Sequence, residues 1–454
     1  MGKELLFDAL QHKKTVRPPW VPFAGVHAGK LTGYTAEEVL RDGEKLLASL
    51  LEVHKLYRPD GMPVVFDLQV EAEVLGCELM WSQDNPPSVR SHPLAGDNKK
   101  VPCPCSVPSI EAGRIQMIMA ATSKLKAAVG DDTGIYGLIC GPFTLASHLR
   151  GSDIFMDMMM DEQYVKDLVA FCAEVCCKMT DYYVDAGADI VAVVDPLVSQ
   201  VSPKHFQSLL SEGFSAVFDY IRSKGVFSSF FVCGNATAQM DVMCQTGPDS
   251  VSIDENVNIK KAKEVTDKYN ITIGGNIPLT TTMLFGTQQD NMKYVVDMID
   301  NMDTHNLIVA PGCDMPYDVP IENTIGVAQA VLQTDEVRKM IENYESVSTF
   351  DIPVDLPDYE ALAKPLIEVF TLDSATCAAC TYMVDVANIA AKEYGDKIEV
   401  VEYKYTIRED IARIQKMGVA QLPSMYINGK LKWSSIIPSK KELFDVIDQI
   451  LSEE

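Results

Sequence analysis

From about residue 20 the chain alternates short apolar runs with longer amphipathic stretches, the punctuation of strand, loop and helix. Trp20 to His27 reads as a first strand. Thr35 to Leu56 reads as a helix, with Thr35 at its N-cap and Glu37 or Glu38 in its first turn. Pro63 to Asp67 gives a second strand, and the Pro-rich, irregular residues 77–108 read as an insertion over one rim. A helix over 109–129 leads into a strand at Gly134 to Cys140. A helix over 161–187 leads into a strand at Asp189 to Asp195, and one over 203–223 into a strand at 226–233. Further strands are expected at 249–254, 271–276 and 306–310, with a last helix over about 320–343. Eight βα units with unbroken apolar strands predict a parallel sheet buried on both faces and closed into a (β/α)8 barrel. A doubly wound open sheet is the alternative.

The pattern breaks at residues 344–364, a polar, Pro-containing stretch that reads as a linker between a unit at 1–343 and another at 365–454. In the second unit a strand from Leu366 to Leu372 precedes Cys377-Ala378-Ala379-Cys380, which opens a helix over 381–394. A strand from Ile398 to Lys404 and a helix over 408–416 follow. A hairpin turning at Asn428-Gly429, a favoured two-residue turn, and a helix over 439–452 complete it.

The residues ending the strands of the first unit are polar or thiol: His27, Asp67, Cys140, Asp195, Cys233, Asp254, Asn276 and Cys313. Barrel enzymes place their catalytic groups at this face, so the series predicts a site in the barrel mouth. Cys233 and Cys313 each follow an apolar run, at Phe230-Phe231-Val232 and at Leu307-Ile308-Val309-Ala310. Two such thiols make a soft-metal or thiol-chemistry site, with two buried structural cysteines as the plain alternative.

Composition narrows the classes. A chain of 454 residues with 47% hydrophobic and 23% charged residues is that of a globular protein of about two or three domains. A formal net charge of −25 argues against nucleic acid and anionic membrane surfaces. No apolar run reaches membrane-spanning length and Met1-Gly2-Lys3-Glu4 opens no secretory segment, so a cytoplasmic location is expected. Twelve cysteines there suggest metal or redox chemistry, with Cys172, Cys176 and Cys177 as core filler on an amphipathic helix. His148 and His205 read as helix-surface residues, and Met156 to Met160 as packing residues.

Two resemblances follow. The last ninety or so residues resemble thioredoxin-like domains: Cys377-x-x-Cys380 stands at a strand-to-helix junction, and Pro423 stands where that family has its cis-proline. This implies a redox dithiol, with Cys377 as nucleophile and Cys380 resolving. A half zinc site is the alternative, and Ala378-Ala379 departs from the usual Gly-Pro pair. Residues 1–343 resemble the uroporphyrinogen decarboxylase superfamily of TIM barrels, through the run from Asp60 to Gly76, Gly141-Pro142-Phe143-Thr144-Leu145-Ala146, and Cys233-Gly234-Asn235. Glu71-Ala72-Glu73-Val74-Leu75-Gly76 and Ala310-Pro311-Gly312-Cys313 resemble its corrinoid-dependent branch, similar to methylcobalamin:coenzyme M methyltransferases. The decarboxylase branch has an arginine-rich motif where this chain reads Phe23-Ala24-Gly25-Val26-His27-Ala28-Gly29.

The resemblance implies a methyltransferase whose partners are a corrinoid protein carrying the cobalamin and a small-molecule methyl donor or acceptor, with a homodimer as a further expectation; a uroporphyrinogen decarboxylase-like decarboxylase and a redox-sensing scaffold with a non-catalytic barrel are the alternatives. It implies zinc on Cys233 and Cys313, with a branch that has lost zinc as the alternative. The family's histidine ligand falls on Phe231, so Asp195 is the expected third ligand, with Asp254 and His27 open as others. Asp67, Glu71 and Asn276 are the expected catalytic residues.

Overall fold

The computed structural model describes residues 2–346, 352–374 and 378–453. The chain divides into two compact units, Met1–Ser346 and Val347–Glu454. The first is built on a seven-stranded parallel sheet: β1 (Gly61–Pro63), β2 (Gly134–Cys140), β3 (Ile190–Val194), β4 (Phe227–Val232), β5 (Ser250–Ile253), β6 (Thr272–Ile277) and β7 (Leu307–Pro311), neighbours in that order. Every residue of β2, β3, β5, β6 and β7 is buried, which is why β2, β3 and β7 read as continuous apolar runs.

Residues 19–21 close the ring. Val21 N donates to Val309 O (3.0 Å), Val309 N donates to Pro19 O (2.8 Å), and Asp60 N donates to Trp20 O (2.9 Å), so this short segment lies between β7 and β1. Asp60 clamps it: Arg17 makes a bidentate pair with the carboxylate (2.6 and 2.9 Å), and Trp20 N donates to it at 2.8 Å. The first strand thus shrinks from the expected Trp20–His27 to a single bridge at Trp20, and His27 opens the helix His27–Thr32. The expected helix over 35–56 divides into Ala36–Arg41 and Gly43–Tyr57, because Asp42 adopts extended backbone and caps the second piece through Glu44 N and Lys45 N. The helix expected at 203–223 carries a π-turn at Phe206–Leu210.

The N-terminal helix Gly2–Leu10 seals the end of the barrel where the strands begin. A Cβ on Gly61 or Gly134 would lie 2.5 or 2.9 Å from Leu6 Cδ2, so side chains there would push that plug out. Above the plug Phe23, Phe66, Tyr136 and Phe231 fill the interior, all at or below 4% exposure. One end being closed, chemistry is left to the other, where the strands end.

The second unit has a four-stranded sheet in the order Glu399–Lys404, Leu366–Thr371, Ser424–Ile427, Lys430–Ser434. The first pair is parallel and the others antiparallel. The hairpin turns at Asn428 and Gly429, both at positive φ (48° and 72°), as a two-residue turn between twisted strands needs. Ile367, Val369, Met383, Met425, Leu443 and Ile447 form its core against the helices Ala378–Tyr394 and Lys440–Glu453. Tyr359, in the stretch expected to be linker, donates its hydroxyl to the buried Glu368 (2.8 Å), which Arg413 also pairs (Nε 3.0 Å).

Candidate functional site

Cys233 follows β4 and Cys313 follows β7, and their sulfurs are bonded, S–S 2.11 Å with Cα atoms 5.9 Å apart. Cys233 is nearly buried at 9%, while Cys313 is partly exposed. Between them in the ring stand the ends of β5 and β6. Asn276 donates both amide hydrogens to backbone, to Asp254 O (3.0 Å) and Val257 O (2.7 Å), which fixes the amide and leaves its Oδ1 buried without a partner. Asp254 Oδ1 accepts from Asn256 N and Nδ2 (2.8 and 2.5 Å), and burial holds its carboxyl above the usual carboxylate range. Glu255 is pushed up to about 8, first by burial and then by Asp254, while its Oε2 accepts from Leu279 N. A Cβ on Gly312 would lie 2.8 Å from Glu255 N. Only glycine lets the turn before Cys313 rest on that step.

The β1 side differs. Asp67 is 2% exposed and accepts from Arg114 Nη1 (2.5 Å) and Gln69 N (2.9 Å). Arg114 Nε donates to Glu73 (2.7 Å), and the Trp81 ring lies 4.9 Å from the guanidinium, which makes the 77–108 insertion its cover. Glu71 accepts from Cys140 N (3.1 Å) through one oxygen, has no partner on the other, and is pushed by burial up to about 8. Asp314 lies over Gly25, where a Cβ would fall 1.8 Å from its Oδ1; burial and the nearby Asp67 hold its carboxyl well above the ordinary range.

Three strand-end residues face elsewhere. The expectation that Asp195 completes a metal site is corrected by its bonds: Oδ2 accepts from Phe143 N (2.9 Å) and Thr144 N (3.1 Å), and Oδ1 accepts from Thr144 Oγ1 (2.6 Å). Both oxygens thus cap the helix Pro142–Arg150, and burial raises the carboxyl to about 6. His27 bonds Tyr317 O (3.0 Å) and the Tyr57 hydroxyl (2.6 Å), and burial pushes it down to about 4, so it is a neutral core histidine. Cys140 is fully buried with its thiol pushed well up, and Cys176 donates to its carbonyl (3.2 Å). His148 too is buried rather than at the surface, whereas Met156, Met159 and Met160 are 55–78% exposed rather than packed.

The donor set does not fit a resident zinc. Phe231 packs at 4.8 Å from the Phe23 ring and 5.6 Å from Phe66, inside the core. Among the described residues no group of three or more His, Cys, Asp or Glu side chains is arranged to hold a metal ion. Sequence reasoning missed Glu255 and Asp314, although each stands next to a named residue. It also missed Arg114, for which the local sequence carries no signal.

In the second unit Cys380 is buried, its sulfur accepts from Leu372 N (3.4 Å), and the Leu422–Pro423 peptide is cis, as the sequence predicts for Pro423. Cys377 lies outside the described residues.

A family model for uroporphyrinogen decarboxylase matches residues 1–333, and one for a thioredoxin domain matches residues 366–448. The chain is 28% identical over 330 residues to the methylcobamide:CoM methyltransferase MtbA of Methanosarcina acetivorans, covering 71% of this chain and 94% of the relative. It is 24% identical over 281 residues to the uroporphyrinogen decarboxylase of Nostoc punctiforme, covering 60% and 78%. A solved methyltransferase from Methanosarcina mazei superposes with a TM-score of 0.67 at 24% identity, covering 74% of this chain and 99% of that one, and shares the barrel fold. The chain belongs to the uroporphyrinogen decarboxylase (URO-D) family, its barrel followed by a thioredoxin domain.

Proposed function

We propose that the chain is a corrinoid-dependent methyltransferase, moving a methyl group between a corrinoid protein and a small substrate, a thiol by class. The observation that carries this reading is the sulfur pair Cys233 and Cys313 at the strand ends of the barrel, flanked by buried carboxyls. Relatives named as methylcobamide:CoM methyltransferases support it. Against a porphyrinogen substrate, the segment 23–29 has no arginine and turns its aromatic and histidine side chains into the core.

The corrinoid, when bound, supplies the cobalt that carries the methyl. This chain's residues would do the rest. Methylating a thiol releases a proton, and Glu255 and Glu71, each pushed up to about 8, exchange protons near neutral pH where ordinary carboxylates do not. Glu255 is the better placed, because its backbone touches the turn carrying Cys313. Asn276 offers a fixed acceptor oxygen, and Asp67, paired with Arg114, orients donors at the opposite rim. Zinc has no part in this reading.

The test uses fully reduced protein, methylcobalamin and a panel of small thiols, following loss of the methyl–cobalt absorbance. Thiol-dependent loss is expected. No loss with any thiol, together with CO₂ release from a porphyrinogen, would transfer the chain to the decarboxylase branch.

A further inference from the structure

We propose that Cys103 and Cys105 form a second thiol site of the barrel unit, a dithiol that exchanges with small organic disulfides and closes into a Cys103–Cys105 disulfide. The pair sits on an anchored loop. Pro102, Pro104 and Pro108 fix its backbone at three points, and Ser106 N donates to Cys103 O (2.8 Å) to close the turn that holds both thiols. Each flank is tied to the helix Glu162–Asp185: Tyr182 donates its hydroxyl to Pro108 O (2.9 Å), and Tyr164 donates its own to Lys100 O (3.4 Å). The loop therefore presents its two sulfurs in one arrangement.

That arrangement makes the sulfurs unequal. Cys105 N donates to Cys103 Sγ (3.3 Å), and the Cys105 thiol donates to the same sulfur. The two donors favour the Cys103 thiolate and hold that thiol below its ordinary range, while donating to Cys103 holds the Cys105 thiol above it. Both are exposed, whereas the other free thiols among the described residues are buried or half-buried. Among the described residues no third His, Cys, Asp or Glu joins the pair, as a zinc site would need.

The inequality sets the order of exchange. Cys103 thiolate attacks one sulfur of a small disulfide RSSR, the S–S bond breaks, and RS⁻ leaves and takes up a proton as RSH. Cys105 then loses its proton and attacks Cys103 Sγ in the mixed disulfide, expelling the second RS⁻, which also becomes RSH. Two electrons and two protons move: the dithiol becomes a disulfide and RSSR becomes two RSH. The resolving thiol stands on the same turn, so ring closure outruns capture of a second RSSR.

The experiment reduces the full chain with a phosphine, removes the phosphine and adds bis(2-hydroxyethyl) disulfide. It is quenched by alkylation, and the peptide carrying both cysteines is followed by mass spectrometry. The parent should form the internal disulfide and release two mercaptoethanol molecules for each one formed. Cys105→Ser, whose hydroxyl still donates to Cys103, should stop at a mercaptoethanol adduct on Cys103. Cys103→Ser should gain its adduct on Cys105 at least tenfold more slowly. Both positions are exposed, and melting curves check that the variants fold. No reaction at the pair, equal adduct rates in the two variants, or adducts on the parent that never close into the internal disulfide would each overturn the proposal. Neither cysteine belongs to the strand-end site, so the result stands apart from the outcome for methyl transfer.

Discussion

Asp67 is a buried acid with a cationic partner, and Asp254 is one without. On the β1 side Arg114 bridges Asp67 and Glu73. On the β5 side Asp254 and Glu255 have only backbone and amide donors, and both carboxyls are held above their ordinary range. The same residue types therefore do different work a few strands apart. The acid that Arg114 pairs is held in rigid geometry, while the unpaired ones, Glu71 and Asp314 near Asp67 as well as Asp254 and Glu255, are buried with raised carboxyls. The sulfur pair spans the second side.

Four measurements test that contrast. The largest effect is expected for Arg114→Met, which strands Asp67 as a buried unpaired charge; about 3–5 kcal/mol of stability should be lost. Chemical denaturation reads it, and a loss under about 1 kcal/mol would mean that the pair is not the frame of that side. Next, Cys313→Ser should lower thiol methylation by reduced protein by about 100-fold, roughly 2.7 kcal/mol in transition-state terms. Unchanged turnover would remove the sulfurs from the chemistry.

Third, Phe231→His should cost about 1–3 kcal/mol by placing an imidazole in the aromatic interior. It should also give reduced protein a third donor beside Cys233, and so about one bound zinc per chain where the parent binds none. Metal analysis decides; an empty variant would put the strand register at fault. The smallest effect is the pH response of Glu71. Its folded carboxyl holds a proton up to about 8, which the unfolded chain releases near 4.5, so stability falls as pH rises between those values and levels off above. Glu71→Gln removes that slope. Its melting temperature should match the parent near pH 5 and exceed it near pH 8.

Legibility followed the range of the forces. Buried strands such as Gly134–Cys140 announced themselves, since a run apolar on both faces needs no partner to be recognised. The cysteine pair was legible as strand-end chemistry for the same reason. Asp195 was misassigned because a carboxylate at a strand end and one capping the neighbouring helix have the same local sequence; only the position of Phe143 and Thr144 separates them. His148 looked exposed and is buried, its backbone carbonyl accepting from Cys77 Sγ (3.3 Å), seventy-odd positions earlier. Arg114 could not be found at all, since its role exists only through Asp67, Glu73 and Trp81, the last supplied by an insertion with no period of its own.

The segment at 19–21 has a consequence for how the molecule is made. Its partners are Asp60, which leaves the ribosome soon after it, and Val309, which leaves far later. At about 5–20 residues per second the wait is roughly 15–60 s. During that interval both edges of the growing sheet stand open, and open parallel edges pair with other chains. The non-local contact that completes the ring also makes closure the slow, entropically expensive step. A nascent chain halted before Leu307 keeps its edges open for good, and should be found in aggregates rather than in solution.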